Sequence, residues 1–179
     1  MRSLFIDGDG VINEDSYAYI KSPDEWRSIP GSLEAIACAQ RAGFRIIVVS
    51  NQSGIARGLL DITTLNAIHR RLIEALARLG GRIDAFLFCP HQPEDRCQCR
   101  KPKAGLLLSV QQRLGIDLTQ TTFIGDRESD VAAAKAVGAR PIIVRTGLKT
   151  ADQTGFSSVA DVETYDTLRD AVNAIVASV

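Results

Sequence analysis

Short apolar runs that alternate with helical patterns constrain the fold of this chain most strongly. The runs are continuous rather than alternately polar and apolar, which indicates strands buried on both faces of a sheet. Each predicted helix ends close to a glycine, a common helix terminator. The predicted strands are Leu4–Ile6, Arg45–Val49, Ala85–Phe88, Thr122–Ile124 and Pro141–Val144, and the predicted helices are Ser32–Ala42, Thr63–Leu79, Ala104–Leu114 and Ser129–Val137. This order predicts an α/β fold, a Rossmann-like three-layer sandwich with a mostly parallel central sheet.

Length and charge limit the remaining possibilities. A chain of 179 residues suffices for one substantial core, so we expect a single domain over 1–179. After Gly147 we expect a short strand and a closing helix near Tyr165 to Val176. Lys and Arg equal Asp and Glu at 21 each, which gives no basic stripe for nucleic acid. No apolar run reaches the ~18 residues of a membrane span, and the N-terminus resembles no secretion signal. We therefore expect a cytoplasmic protein, and because the sequence has no obvious exposed apolar segment we expect a monomer.

Three of the four cysteines and one of the two histidines lie in the segment CPHQPEDRCQC. Two short hooks, Cys89-x-His91 and Cys97-x-Cys99, can close on one ion, and thiolate and imidazole ligands suit zinc. Four protein ligands leave no position for water or substrate, so we predict a structural zinc in a loop over residues 89–99. Two alternatives stay open: buried cysteines beside a surface histidine, and a disulfide. Cys38 is expected in the core.

Acidic residues follow two of the predicted strands at their carboxyl ends, where parallel α/β sheets bind ligands. The first strand continues into Asp7 and Asp9, and the fourth is followed by Asp126. Carboxylates that converge in this way can collect Mg²⁺, which prefers oxygen ligands and shares them with substrate phosphate. Asp130 lies four residues after Asp126, on the first turn of a predicted helix. These positions predict an acidic metal site.

Groups suited to an anion follow the second strand and the cysteine-rich loop. The second strand ends in SNQSG, residues 50–54, whose hydroxyl and backbone N–H groups suit phosphate. Arg100 and Lys101 directly follow the loop and bring positive charge to the same edge of the sheet. Each motif alone is also a common turn or solvated segment. Their order along the chain is the specific signal.

That order resembles the haloacid dehalogenase superfamily of aspartate-nucleophile phosphatases over about residues 3–147. The elements are Asp-x-Asp-Gly after strand one, Ser-Asn after strand two, Lys-Pro before a helix, and Gly-Asp-x-x-x-Asp after a later strand. Within the superfamily, the chain is similar to the D-glycero-D-manno-heptose 1,7-bisphosphate phosphatases, with histidinol-phosphate phosphatases as neighbours. The segments that carry this similarity are FIDGDGVINED, VVSNQSGIARG, CPHQPEDRCQCRKP and IGDRESD. The resemblance implies a capless fold with an open active site.

The resemblance also implies roles for individual residues. Asp7 would attack phosphorus and form an aspartyl-phosphate, and Asp9 would serve as general acid and then general base. Mg²⁺ would be held by Asp7, the backbone carbonyl of Asp9, and Asp126, and would offset repulsion between nucleophile and phosphate. Ser50 and Lys101 would stabilise the transferring phosphoryl oxygens.

Further residues are expected around this centre. Asp130 is expected behind the site, where it orients Lys101. Arg100 is expected to reach a second phosphate or the sugar. The full set of expected substrate contacts is Asn51, Gln52, Ser53, Arg100, Arg127, Asp15, Ser16, Tyr17 and Ala18.

Three positions depart from the pattern of the relatives. Gly8, between the two aspartates, stands where arginine is usual, Arg127 stands where lysine is frequent, and Ser50 replaces a common threonine. Gly8 removes a charge and a large side chain beside the nucleophile. It is consistent with altered substrate affinity or with neutral drift.

The leading hypothesis is a Mg²⁺-dependent hydrolase that removes the C7 phosphate from a heptose 1,7-bisphosphate and yields heptose 1-phosphate, for lipopolysaccharide core or a related glycan. The only expected partner is this small phosphorylated sugar. One alternative is a histidinol-phosphate phosphatase. Another is a zinc-stabilised binding module without catalysis, which Gly8 favours and the complete set of catalytic residues opposes.

Overall fold

The computed structural model describes residues 2–147 and 161–178, and part of the predicted tail lies outside these ranges. Two short 3₁₀ turns, Pro93–Asp95 and Leu118–Gln120, join longer elements. The strands are β1 Ser3–Ile6, β2 Arg45–Asn51, β3 Ala85–Cys89, β4 Thr121–Gly125, β5 Arg140–Val144 and β6 Glu163–Tyr165. The helices are α1 Ser32–Arg41, α2 Ile62–Ala77, α3 Gly105–Leu114, α4 Glu128–Lys135 and α5 Leu168–Ala177.

The six strands form one sheet in the order β3-β2-β1-β4-β5-β6, and every described pair is parallel. Ile6 at the end of β1 is in register with Val48 of β2 and Ile124 of β4. The three strands therefore end at nearly the same level. β2 and β3 lie on one side of β1, and the chain then crosses from β3 to β4 on the other side, so a crevice opens at these carboxyl ends.

Two apolar clusters cover the two faces of the sheet. Leu4 and Ile6 of β1 pack in one cluster with α1, α2 and α5, whereas Phe5 between them packs in the other with α3 and α4. Successive residues of a strand point to opposite faces, so a strand buried on both sides must be apolar throughout. The predicted three-layer sandwich is confirmed.

The ends of the elements coincide with the predicted ones or differ by at most three residues, with the largest difference in the last helix. The predicted helix began near Tyr165, but Tyr165 closes β6 and the helix begins at Leu168. Thr167 explains the start, because its hydroxyl accepts a hydrogen bond from the amide of Asp170 at 3.2 Å and caps the helix. Tyr165 instead continues the ladder with Val144.

The connections that lead into the crevice hold no additional folded unit. Residues 7–31, between β1 and α1, form turns with two isolated β-bridges, and residues 52–61 form turns between β2 and α2. This agrees with the predicted capless arrangement. Within residues 2–147 and 161–178, no helix has the length and apolar character that a membrane crossing requires. The prediction of a single domain over 1–179 stays a prediction.

Candidate active site

A buried lysine connects the carboxylates at the centre of the crevice. The ammonium of Lys101 lies 2.9 Å from Oδ1 of Asp7 and 2.7 Å from Oδ1 of Asp130, and it donates to the carbonyl of Val49 at 2.9 Å. The same nitrogen lies over the Phe123 ring, 5.4 Å from its centroid. All three hydrogens of the ammonium therefore have an acceptor. The predicted neighbourhood of Asp7, Lys101 and Asp130 is present.

Burial and charge oppose each other in this group. Burial disfavours the charge on Lys101, but Asp130 and Asp7 outweigh it and raise the pKa of the ammonium to about 12. Burial raises the pKa of Asp7 well above its ordinary value, and the charge of Lys101 acts in the opposite direction. Lys101 thus favours the ionised form of Asp7, which a nucleophile needs, against the effect of burial.

A third carboxylate completes a site with the chemistry of a magnesium centre. One carboxylate oxygen each from Asp7, Asp126 and Asp130 lies within 4.8 Å of the others. Oδ1 of Asp126 is buried and has no hydrogen-bond partner. Burial, and then the charge of Asp130, raise the pKa of Asp126 to about 7. A buried, unpartnered anionic oxygen beside two other carboxylates fits a divalent cation. The predicted Asp9 ligand is a backbone carbonyl, and it stays a prediction.

The turn from β4 into α4 fixes two of these carboxylates. Oδ2 of Asp130 accepts hydrogen bonds from the amides of Asp126 at 3.2 Å and Arg127 at 3.1 Å, which caps the helix. A Cβ at Gly125 would lie 2.3 Å from Asp130, so only glycine leaves room for this packing. The sequence motif Gly-Asp-x-x-x-Asp therefore encodes a local geometry as well as a set of ligands.

Asp9 lies apart from the cluster of carboxylates and has its own partners. Its Oδ1 accepts from Nδ2 of Asn13 at 2.8 Å, and its Oδ2 accepts from Nε2 of Gln52 at 3.2 Å. Burial raises the pKa of Asp9 above its usual value, against the hydrogen bond from Asn13. A raised pKa is what a general acid needs near neutral pH. Asn13 was not among the predicted site residues.

The cysteine-rich loop and the end of β2 position Lys101 from two sides. The side chain of Asn51 forms a pair of hydrogen bonds with the backbone of Lys101, at 3.0 and 3.1 Å. Arg100 donates to the carbonyl of His91 at 3.2 Å. The loop therefore carries both basic residues to the crevice, as predicted.

The predicted ligands Cys89, His91, Cys97 and Cys99 form one cluster. Their Sγ atoms are 3.1, 3.5 and 3.6 Å apart, and Nδ1 of His91 lies 3.2 and 3.6 Å from two of them. Zn–S distances of about 2.3 Å place the corners of a tetrahedron about 3.8 Å apart, so the cluster is close to zinc-sized. All four cysteines are free, and the sulfur separations are too long for a disulfide. Cys38 packs against the core, as expected.

A cavity of about 510 Å³ opens above the carboxylates. Of the expected substrate contacts, all line it except Ala18, whose amide instead donates to Ser16 in the exposed loop. Ser50, expected to contact the phosphoryl group, lines a smaller cavity of about 30 Å³ together with Gly8. Arg127 does not face the cavity as a free cation, because it pairs with Asp15 and lies 3.4 Å from Asp126.

Sequence reasoning missed six further residues that line the main cavity: Tyr19, Ile20, Arg57, Pro93, Pro102 and Ser129. Arg57 belongs to the turns after β2, in the segment VVSNQSGIARG that had been recognised as a motif. The sequence signal for Arg57 was its place in this segment, seven residues after Ser50 at the carboxyl end of β2.

Known proteins match both the sequence and the fold. A family model described as HAD-hydrolase-like, for haloacid dehalogenase, matches residues 98–171. The D-glycero-beta-D-manno-heptose-1,7-bisphosphate 7-phosphatase of Pseudomonas aeruginosa is 50% identical over 147 residues, which cover 82% of this chain and 83% of the relative. The enzyme of the same name from Bordetella bronchiseptica is 47% identical over 82% of both chains. The chain belongs to this phosphatase family.

Solved structures agree with the assignment to the heptose bisphosphate phosphatase family. The crystal structure of the B. bronchiseptica D,D-heptose 1,7-bisphosphate phosphatase, complexed with magnesium and phosphate, superposes with a TM-score of 0.91 at 39% identity and full coverage of both chains. The enzyme from Burkholderia thailandensis gives 0.73 at 36% identity over 98% of each chain. The resemblance and the fold class predicted from the sequence are confirmed.

We predict that Lys101→Met lowers kcat by at least about 100-fold, because the substitution removes the charge that favours ionised Asp7 and stabilises the transferred group. Steady-state assays of phosphate release measure this effect. Lys103→Met is the matched control, since Lys103 is exposed and its ammonium contacts only the carbonyl of Arg96, at 3.2 Å, among the contacts described. Equal losses in the two variants would contradict the role of Lys101.

Proposed function

We propose that this chain hydrolyses the C7 phosphate of D-glycero-β-D-manno-heptose 1,7-bisphosphate and releases heptose 1-phosphate. The observation that carries the proposal is the charge of the cavity: a nucleophile–lysine pair lies at its base, and Arg57 and Arg100 line it as well. Lys101 and a metal ion would neutralise the charge of one phosphate group bound at Asp7. The additional arginines suit a substrate with a second anionic group. The β anomer is the one named for the relatives.

The residues support a two-step displacement. In the first step, a carboxylate oxygen of Asp7 forms a bond to phosphorus while the bond from phosphorus to the C7 oxygen breaks. Asp9 gives its proton to the departing oxygen, which needs it because a sugar alkoxide is a poor leaving group. In the second step, Asp9 takes a proton from water, whose oxygen attacks phosphorus and frees Asp7 and inorganic phosphate. Lys101 and Ser50 stabilise charge on the phosphoryl oxygens.

Magnesium is part of this proposal, with Asp7, Asp126 and the Asp9 carbonyl as ligands. The buried free oxygen of Asp126 supports it, and the B. bronchiseptica relative was crystallised with magnesium and phosphate. The ion supplies positive charge that offsets the repulsion between a carboxylate and an anionic phosphate. Asp130 is proposed to stay with Lys101 behind the ligands.

Zinc is proposed as the occupant of the four-residue cluster at the loop. Burial raises the pKa of the Cys89 thiol to about 12, so a thiolate at this position requires a bound cation. Since all four corners are protein atoms, the role is structural. A cytoplasmic location fits free thiols, and we propose it together with a monomeric, single-domain chain.

The test of the function is a substrate comparison. We expect kcat/KM for the β anomer of the heptose 1,7-bisphosphate to exceed that for the α anomer, and that for histidinol phosphate by at least about 100-fold. Steady-state release of inorganic phosphate in Mg²⁺ measures all three. Asp7→Asn controls for contaminating phosphatase. Preference for histidinol phosphate would favour the histidinol-phosphate phosphatase branch. Absence of phosphatase activity in the wild type with all three substrates would favour a binding module.

The test of the loop is removal of a ligand. We predict that Cys97→Ala or Cys99→Ala loses bound zinc, lowers the melting temperature and reduces kcat/KM by at least about tenfold, because the loop positions Arg100 and Lys101. Elemental analysis, calorimetry and kinetics measure the three effects.

Cys38→Ala is the matched control for these variants, because Cys38 packs against the opposite face of the sheet, and it should retain zinc and activity. Variants that lose zinc but keep wild-type stability and turnover would show that the loop does not position the basic residues.

A further inference from the structure

The turns between β1 and α1 form one wall of the main cavity. In the segment 15–20, called the wall loop below, every residue except Ala18 lines that cavity. The loop contains no helix or strand. Two of its amides bond within the loop: the amide of Ala18 donates to the hydroxyl of Ser16 at 3.1 Å, and the amide of Tyr19 donates to the carbonyl of Ser16 at 3.1 Å. These local bonds shape the loop, but they do not place it over the site.

Asp15 joins the wall loop to the opposite side of the crevice. Its Oδ1 accepts a hydrogen bond from the amide of Ser16 at 2.7 Å, and its Oδ2 forms an ion pair with Arg127, the N-cap residue of α4. The partners of this ion pair are 112 positions apart in the sequence. The Asp15 side chain is only 11% exposed, and solvent screens a partly buried pair less than an exposed one. The pair therefore fixes the start of the loop relative to β4 and α4.

The guanidinium of Arg127 is itself held at the carboxyl edge of the sheet. Its Nε lies 3.4 Å from Oδ2 of Asp126, while a terminal nitrogen pairs with Asp15. A guanidinium presents several donors in a fixed planar arrangement, so one arginine can bridge two carboxylates. The buried oxygen of Asp126 that has no partner is Oδ1, so the bridge leaves it available to a cation. Arg127 thus connects the wall loop to the centre of the site.

Tyr19 holds the other end of the wall loop by packing. Its backbone has a φ of 62°, in the left-handed region that residues other than glycine rarely adopt. Its ring lies against Gly54 in the turns after β2, where an added Cβ would come within 3.2 Å of Cδ1 of Tyr19. The loop is therefore held by an apolar contact at one end and an ion pair at the other. A single substitution can remove the ion pair without changing the shape of the side chain.

We propose that Asp15 and Arg127 are positioning residues for the phosphatase reaction, whose ion pair holds the wall loop against the sugar of the substrate. The groups that act on phosphorus, Asp7 and Lys101, do not belong to the loop. The position of the loop should therefore affect binding of the sugar and leave the transfer of the phosphoryl group nearly unchanged. The proposal rests on the proposed function, because the sugar is the leaving group of that reaction.

Asp15→Asn tests this role with the least change of shape. Its Oδ1 can still accept from the amide of Ser16, but its NH₂ group faces the guanidinium of Arg127, and two donors form no hydrogen bond. We expect KM for the heptose 1,7-bisphosphate to rise by about tenfold or more, with kcat changed by less than about threefold. For acetyl phosphate, whose leaving group is much smaller, kcat/KM should change by less than about threefold.

Arg140→Gln is the matched control, because Arg140 is similarly exposed and pairs with Glu163 away from the cavity, so its removal should leave both reactions unchanged. Equal losses of kcat/KM for the two substrates in Asp15→Asn would overturn the proposal.

A double-mutant cycle separates the ion pair from independent contacts of Asp15 and Arg127 with substrate. If the two residues act as a pair, adding Asp15→Asn to Arg127→Gln should raise KM for the heptose bisphosphate by less than about twofold. If each residue contacts the substrate independently, the increases in KM should multiply. That result would overturn the proposal.

Hydrogen–deuterium exchange gives a readout that needs no substrate, so it separates this proposal from the proposed function. Mass spectrometry compares the wild type with Asp15→Asn and Arg140→Gln. In Asp15→Asn, peptides that cover the wall loop should exchange at least about fivefold faster, while peptides that cover β1 and β4 should not change. Unchanged exchange in the wall loop would overturn the proposal. Turnover of the heptose bisphosphate by the wild type tests the proposed function separately.

Discussion

The contact of one buried ammonium with two carboxylates is the interaction on which this site depends. Asp7, Asp130 and Lys101 are each at most 7% exposed, and three elements that are distant in sequence supply them. Without the lysine, the carboxylates of Asp7 and Asp130 would face each other and Asp126 in a medium that screens charge poorly. With it, part of that repulsion and of the cost of burial is offset, and one oxygen of Asp126 is left for a cation.

The rest of the fold serves to place that ammonium. β1, β2 and β4 end at one level, which brings Asp7, the carbonyl of Val49 and Asp126 to one edge. Asn51 and the cysteine-rich loop then fix the backbone of Lys101 from opposite sides. Fixing a lysine side chain costs conformational entropy, because it has four rotatable bonds. These contacts already hold Lys101 in the free protein, so less conformational entropy is lost when substrate binds.

Much of this arrangement was predictable from the sequence, because it follows from strand order. Continuous apolar runs predicted buried parallel strands, and the residues just after them had to meet at the carboxyl edge. The spacing of the cysteines and His91 predicted their cluster for a different reason. The two ligands of each pair are separated by one residue, which leaves them few other positions. The resemblance to haloacid dehalogenases then assigned roles that geometry alone does not assign.

The features that the sequence did not predict depend on how turns direct individual side chains rather than on the order of the strands. Nothing in the run VINED marks Asn13 as a partner of Asp9, because the contact arises from a turn that folds Asn13 back onto Gly8. Arg57 reaches the cavity through turns after β2 that have no periodic pattern. Arg127 lines the cavity, and its contact with substrate stays a prediction; the sequence did not predict its pairing with Asp15, which joins two segments separated by 112 positions.

The most direct test of the central claim is a double-mutant cycle on stability between Lys101 and Asp130. The free energy of unfolding is measured by urea denaturation for Lys101→Met, Asp130→Asn and the double variant. Each single substitution leaves a buried partner without its opposite charge. Lys101→Met should therefore lower the free energy of unfolding by about 3–5 kcal/mol. The double variant should be at least about 2 kcal/mol more stable than the sum of the single losses implies. Additive losses would contradict the account, because they would mean that the ammonium and the carboxylate do not depend on each other.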